Sequence, residues 1–332
     1  MQQLFSRWNQ WLGRRMFFVV LSALVAGFLF PLPGAPLLSD LAVVLFAYMT
    51  FVTALDTGFR DFFHILARPG IALWMLLLIH VVMPLVAWSA GMLFYPHAPL
   101  TRLGFLIGAA IPIGVTSIIW TAVAQGDVAL ALVVVTLDTL ISPLLLPVFI
   151  ALVAGRVVHL DYLHLLVGLL WMVTVPSLIG MAVNDLTRGR LAGFAHSVGG
   201  FTSKAALFFV VYINAGSVAP EVHWDVSLIK MLLVILLLVM SGYYLGYAGS
   251  FVLRERRRDT VAAMIYNVGM RNISFGSVLA VAYFPAAVAV PVTLAMIYQQ
   301  PMAAVVSYLF NRFFPPECAA VPELSGGEGR RS

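Results

Sequence analysis

Ten apolar stretches, each about 20 residues long, follow one another through nearly the whole chain, separated only by short turns. They lie at about residues 16–33, 36–55, 70–94, 101–124, 127–154, 161–183, 200–218, 227–253, 259–283 and 287–311. A stretch of that length crosses the hydrocarbon core of a bilayer as a helix, because a helix satisfies its own backbone groups where no water can. Breakers mark the boundaries: Pro31-Leu32-Pro33-Gly34, Arg68-Pro69-Gly70, Tyr95-Pro96, Gln125-Gly126-Asp127 and Ala219-Pro220. Composition agrees, with 62% hydrophobic residues, 10% charged residues and a mean hydropathy of +0.99. A soluble domain carries about 25% charged residues, so this chain could not cover a water-facing surface. The expected fold is an all-α polytopic membrane protein with ten transmembrane helices. The single Cys318, near the C-terminus, leaves no disulfide framework.

The basic residues sort by side. Arg102, Arg156, Lys230 and Arg271 apart, the other 15 of the 19 Lys and Arg fall at one set of helix ends and at the two termini. The positive-inside rule then places both termini in the cytoplasm of a cell (inner) membrane protein, and that alternation requires an even number of spans. Because these charges sit in short loops, the net charge of +5 is a topology signal and gives no reason to expect nucleic acid. Arg14-Arg15 followed by Met16–Phe30 resembles a signal peptide, but no small-x-small cleavage site follows, and the stretch reads as the first span. The organisation expected is a cytoplasmic N-terminus at 1–15, a ten-span domain at 16–311 and a disordered cytoplasmic tail at 312–332 rich in Gly, Pro, Glu and Ser.

Five spans followed by five would set the two halves, about 16–154 and 161–311, in opposite orientations. Inverted repeats of this kind build transporters whose sites lie at interrupted helices near the midplane. Matching interruptions occur here, at Ile111-Pro112-Ile113-Gly114-Val115-Thr116-Ser117 in the fourth stretch and at Asn267-Val268-Gly269-Met270-Arg271-Asn272-Ile273-Ser274 in the ninth. Pro112 removes a backbone donor, and Gly114 and Gly269 tolerate the dihedrals of a break. The following spans carry prolines too, Pro143 and Pro147 in the fifth and Pro291 and Pro301 in the tenth, while Gln299 and Gln300 call for interhelical hydrogen bonds.

Three ionisable residues lie deep in these stretches: Arg271 in the ninth, Asp138 in the fifth and His80 in the third. A charge at mid-membrane depth costs at least about 2.5–3.5 kcal/mol on insertion scales, so it marks a functional site by default. An ion pair between Arg271 and Asp138 is one expectation, with Asn267, Asn272, Ser274, Ser117 and Thr136 supplying further hydrogen bonds. The rival expectation is that Arg271 receives a substrate carboxylate. His80, able to titrate near neutrality, is a candidate for passing protons or else a packing residue.

The runs Gly114-Val115-Thr116-Ser117, Ala124-Gln125-Gly126-Asp127-Val128-Ala129-Leu130, Leu140-Ile141-Ser142-Pro143 and Asn267-Val268-Gly269-Met270-Arg271-Asn272 resemble the bile acid:sodium symporter family. The resemblance implies a core domain with crossed, discontinuous fourth and ninth helices. It also implies a panel domain from the first, second, sixth and seventh, and transport of organic anions such as bile acids, keto acids or sulfonated compounds. Its sodium-coupled members have Ser-Asn at the fourth-span break, where this chain has Ser117-Ile118. They carry hydroxyls along the fifth span, where Ala131 and Val135 stand with Thr136 beside them. Their Glu-x-Gly-x-Gln-Asn in the ninth span reads Asn267-Val268-Gly269-Met270-Arg271-Asn272 here, and their Gln before Met-Pro in the third span becomes His80 before Met83-Pro84. Sodium needs several oxygen ligands, and the comparison implies a degraded sodium site.

The reading that follows is a secondary transporter of a small organic anion, carboxylate or sulfonate, working by alternating access without sodium and either proton-coupled or uniport. The expected site comprises Arg271, Asp138, Asn267, Asn272, Ser117, Thr116, Thr136 and His80, with breaks at Pro112, Gly114 and Gly269, no metal and no cofactor. Its partners are the anion and the lipid bilayer. An arsenite or antimonite permease shares Trp120 and Gly126-Asp127, but it would need a thiolate in the fourth span, where this chain has none. A transport-dead sensor or scaffold that kept the fold is the alternative of another class. No paired carboxylates or nucleophile constellation points to an enzyme.

Overall fold

The computed structural model describes residues 2–32, 36–56, 58, 69–154, 161–255 and 257–315, and helices are the only extended regular elements among them. In order these are α1 (Gln2–Arg14), α2 (Met16–Leu29), α3 (Pro36–Ala54), α4 (Pro69–Leu77), α5 (Met83–Phe94), α6 (Pro99–Ala110), α7 (Thr116–Val123) and α8 (Val128–Ala154). The second half contains α9 (Tyr162–Leu169), α10 (Val175–Thr187), α11 (Ala192–Phe194), α12 (Gly200–Val218), α13 (Val226–Val252), α14 (Arg258–Gly269), α15 (Ile273–Tyr283), α16 (Ala286–Leu294) and α17 (Met296–Phe313). The tail residues 316–332, and Arg60 and Asp61 at a loop, lie outside the described residues.

Seven helices among the described residues are long and apolar enough to cross a membrane, and eight if α1 and α2, bent by 74°, count as one. The two remaining expected stretches are each split into a pair of short helices, α6/α7 and α14/α15. The N-terminal segment read only as a cytoplasmic end is helical. Asn9 of α1 donates to the carbonyl of His196 at 2.8 Å and pairs with Lys204, while Phe5 and Trp8 stand edge-on to Phe201.

Several helices stay continuous through features that disturb them. A single π-type turn joins α4 to α5 at Leu78–Val82, and another joins α9 to α10 at Leu170–Thr174. In both cases a proline, Pro84 or Pro176, follows two residues after the wide turn. A proline has no N–H to donate and its ring crowds the carbonyl four residues back, so a locally widened turn relieves the conflict. Pro143 and Pro147, by contrast, lie inside an unbroken α8.

Two packing groups surround the site. In one, α12 lies along α2 and α3, and α10 lies along α3. In the other, α13 packs closely on α14, and α6 packs on α5 and α16. The α13 contact depends on small residues: a Cβ at Gly246 would stand 2.5 Å from the carbonyl oxygen of Met264. Close backbone approach of this kind, with glycines four apart at Gly242 and Gly246, is how helices associate where no hydrophobic force drives them together. The opposite face of α13 exposes Ile229, Leu233, Leu237, Met240 and Tyr244, an apolar stripe at helical spacing suited to lipid.

Candidate functional site

The site is built where the two breaks meet. At Ile111 the chain leaves α6 in extended backbone, φ −63° and ψ 156°, and at Met270 it leaves α14 likewise, φ −105° and ψ 122°. The two extended pieces cross antiparallel and bridge at Ile113 and Arg271. Gly114 donates its N–H to the carbonyl of Met270 at 3.2 Å, and Asn272 donates its N–H to the carbonyl of Pro112 at 2.8 Å. Each break therefore satisfies backbone groups freed by the other, which is what allows non-helical backbone at membrane depth.

Side chains complete the joint. Asn272 caps α15 by accepting from the N–H of Phe275 at 3.2 Å. Gln299 donates to the carbonyl of Arg271, and Gln300 accepts from the indole of Trp120 at 2.9 Å, so both glutamines take up the interhelical bonds expected of them. Ser117 donates to Asn267 Oδ1 at 2.8 Å, with both residues fully buried, while Asn267 Nδ2 has no partner among the described residues.

The expected ion pair is not formed. Asp138, fully buried, takes one hydrogen bond from the backbone N–H of Ile113 at 2.5 Å and contacts His80 Nε2 at 2.5 Å, with Ser142 Oγ at 3.3 Å. None of the five side chains expected to support it does so: Ser117, Asn267 and Asn272 are engaged as above, Thr136 bonds to Leu132 of its own helix at 2.8 Å, and Ser274 lines the cavity. The physical reason is proximity along the break: Ile113, in extended backbone, offers an unused N–H to the nearest buried acid, and α4–α5 brings His80 against it. Arg271 is 6% exposed and Nε, Nη1 and Nη2 all lack a hydrogen-bond partner among the described residues.

Arg271 lines a cavity of about 290 Å³. One wall comes from α2, α3, α10 and α12, with Phe46, Met49, Met181 and Leu207; the other comes from the crossing, α8 and α17. Thr116, Thr136, Asn272 and Ser274 add polar residues to the cavity lining. The cavity extends from the crossing to the start of α2 at Met16 and the end of α3 at Ala54, past Met181 within α10. A smaller cavity of about 50 Å³ lies against Phe105, Leu238 and Tyr243, and Arg271 and Gln299 line both. Asp138, His80, Ser117 and Asn267 line neither cavity; they stand behind the broken backbone. The sequence reading took Trp120 only as a motif residue and missed Tyr243 and Tyr266; the three form an aromatic group, with ring centroids 6.2 and 6.4 Å apart, that packs beside the crossing. It also counted Arg258 only among the basic residues that mark one side of the membrane, whereas Arg258 bonds to Ala124 O, Asn311 Oδ1 and Phe314 O and ties α7, α14 and α17 together.

A bundle of apolar helices holding a cavity at two crossed, broken helices is an arrangement that recurs in membrane transporters. The chain belongs to the Sodium Bile acid symporter family, whose sequence model matches residues 41–245. It is 36% identical over 270 residues to the Bacillus subtilis protein YbaS, covering 81% of this chain and 88% of that one. It is 27% identical over 268 residues to YocS of the same organism, named as a sodium-dependent transporter, covering 80% and 81%. A chloroplastic protein of Arabidopsis thaliana named as a probable sodium/metabolite cotransporter, BASS1, is 27% identical over 244 residues, covering 73% and 59%. The protein is thus a multi-pass membrane transporter and not an enzyme.

Proposed function

We propose that this protein carries a small organic monoanion across the cell membrane by alternating access, and that Arg271 receives the anionic group. The observation that carries this reading is a guanidinium nine-tenths buried, without a hydrogen-bond partner, at the wall of a mostly apolar cavity. A buried cation left unpaired is strongly disfavoured, and a carboxylate or sulfonate arriving there would satisfy the fork bidentately. The apolar wall suits the rest of the solute, and about 290 Å³ lies at the small end of ligand cavities, roughly 300–1,000 Å³.

The proposal includes ten spans, with α6/α7 and α14/α15 as broken fourth and ninth spans in inverted halves. The two packing groups serve as a panel of α2, α3, α10 and α12 and a core around the crossing. Positive-inside orientation puts the start of α2 at Met16 and the end of α3 at Ala54 in the cytoplasm, so the larger cavity opens inward and the smaller one marks the route to the other side. Sodium is not the coupling ion in this reading. Arg271 holds a fixed positive charge at the crossing, and the oxygen of Asn267 already accepts from Ser117. A metal cation placed beside them would meet repulsion and too few oxygens.

The test is uptake of benzoate, octanoate and cholate, monoanions of different apolar size, into proteoliposomes. Arg271→Gln should lower uptake about 30-fold or more, the equivalent of losing one buried charged hydrogen-bonded pair. Uptake by Arg271→Gln equal to wild type would remove Arg271 from the site. Stimulation by an imposed sodium gradient alone would overturn the sodium-free reading.

A further inference from the structure

We propose that His80 and Asp138 together form the binding site of a co-transported proton, and that one proton enters with each monoanion. This rests on the reading of Arg271 as the anion receptor. Its starting point is that the two ionisable groups touch each other at 2.5 Å and avoid Arg271, though Arg271 lies within electrostatic reach of Asp138.

Their surroundings isolate them. Asp138 meets the Leu78–Val82 turn through His80 and the break through Ile113, and its helix α8 packs on α4, α6, α7, α9, α14 and the Leu170–Thr174 turn, with an apolar cluster that includes Met75, Ile79, Val134 and Met264 beside it. The described titratable groups on those elements and on the break are few. Arg258 and Asp259 sit at the far end of α14, where Arg258 holds Ala124 O and Asn311. Tyr266 stacks on Trp120 and meets Tyr243 edge-on, His164 faces Tyr283, and Arg102 of α6 bonds to Pro96 O. Only His80 touches the acid, and Arg271 is the fixed charge across the broken backbone from it.

Charge balance then links proton to solute. With His80 neutral, Asp138 and Arg271 cancel and the empty core is neutral. A monoanion at Arg271 alone leaves the core one negative charge in excess, and a proton on the His80–Asp138 pair alone leaves it one positive charge in excess. Both together restore neutrality. In a low-dielectric interior uncompensated charge is costly, so each ligand raises the affinity for the other. The proton belongs to the pair as a unit, since so short a contact couples the two titrations. Its effect on the solute site travels through Ile113, whose N–H bonds to Asp138 and whose backbone bridges to Arg271. His80 itself lies on the widened π-type turn, a form that recurs where helices are bent to functional ends.

The test has two arms. In the first, without solute, infrared difference spectra of detergent-purified wild type, His80→Gln and Asp138→Asn are recorded between pH 8 and pH 5. Wild type should show one protonation that both variants lack, and identical spectra for all three would overturn the proposal. In the second, benzoate, octanoate or cholate is added at neutral pH in weak buffer with a pH-indicator dye. Wild type should take up about one proton per anion bound, and His80→Gln should bind with no uptake. Arg271-dependent binding without proton uptake in wild type would overturn the proton site and leave the anion site standing. Binding that ignores Arg271→Gln would overturn the anion reading, while the first arm still decides whether the pair holds a proton.

Discussion

Gly114 lies so close to Arg271 that a Cβ on it would stand 2.9 Å from the Arg271 carbonyl oxygen. The obstacle is backbone, fixed by the bridge between the two breaks, and cannot rotate aside. Gly114→Ala should therefore push the crossing apart and destabilise by about 1–3 kcal/mol, read as a lower Tm in detergent. A variant with unchanged Tm and transport would show that the crossing yields freely.

On the other side of the crossing, a Cβ on Gly269 would meet the Tyr243 ring at 2.3 Å. Gly269→Ala should destabilise, and Tyr243→Ala in the same chain should relieve most of the clash. The double-mutant cycle is expected to give a coupling of about 0.5–3 kcal/mol between the two positions. Additive losses would mean that they act apart.

Arg258 holds three acceptors on two other helices and their ends: Ala124 O at 2.8 Å, Asn311 Oδ1 at 2.6 Å and Phe314 O at 2.8 Å. Its guanidinium also lies over the Phe310 ring, 5.0 Å from the centroid. Arg258→Gln should cost about 1–3 kcal/mol by leaving carbonyls unpaired. Arg258→Lys should not restore stability, because an ammonium cannot reproduce the fork. Recovery with lysine, in the same melts, would reduce the residue to a loop charge.

Asp225 caps α13, accepting from the N–H of Ser227 at 2.8 Å and from its hydroxyl at 2.5 Å. These bonds from Ser227, side chain first, hold its carboxyl below the usual value. A carboxyl whose folded value is depressed stabilises above its unfolded value, near pH 4, and loses that contribution as pH falls through the folded value. Wild type should thus melt above Asp225→Ala at neutral pH, with the gap closing below about pH 4. A gap that persists unchanged to pH 2 would mean that the cap acts without its charge.

Much of the site was legible residue by residue. The interruptions fall where Pro112 and the Gly269–Asn272 run stand. Gly114 and Gly269 meet Arg271 and Tyr243 through the tertiary packing, whereas a missing donor at Pro112 acts locally wherever the chain folds. Arg271 stood out for the same reason: a guanidinium deep in an apolar run is costly in any arrangement. The role of Asp138 was misread. Its helix is apolar on nearly every face, so no periodicity in α8 reveals which side meets α4 and which meets the cavity. Arg258 was misread from the opposite direction. In a run of basic residues it looks like its neighbours, and only the ends of α7 and α17 single it out.

The sequence by itself determined that the chain is a bundle of membrane helices, where those helices are interrupted, and that three ionisable groups lie deep among them. These properties follow from hydropathy and backbone chemistry over a few neighbouring residues. Only the tertiary structure decided the partners. His80 reaches Asp138 across 58 residues and Ile113 reaches it across 25, while Arg271 is left facing the cavity unpaired. Such pairings depend on how apolar helices rotate and cross, and in a membrane that is set by close packing of small residues rather than by any pattern along the chain.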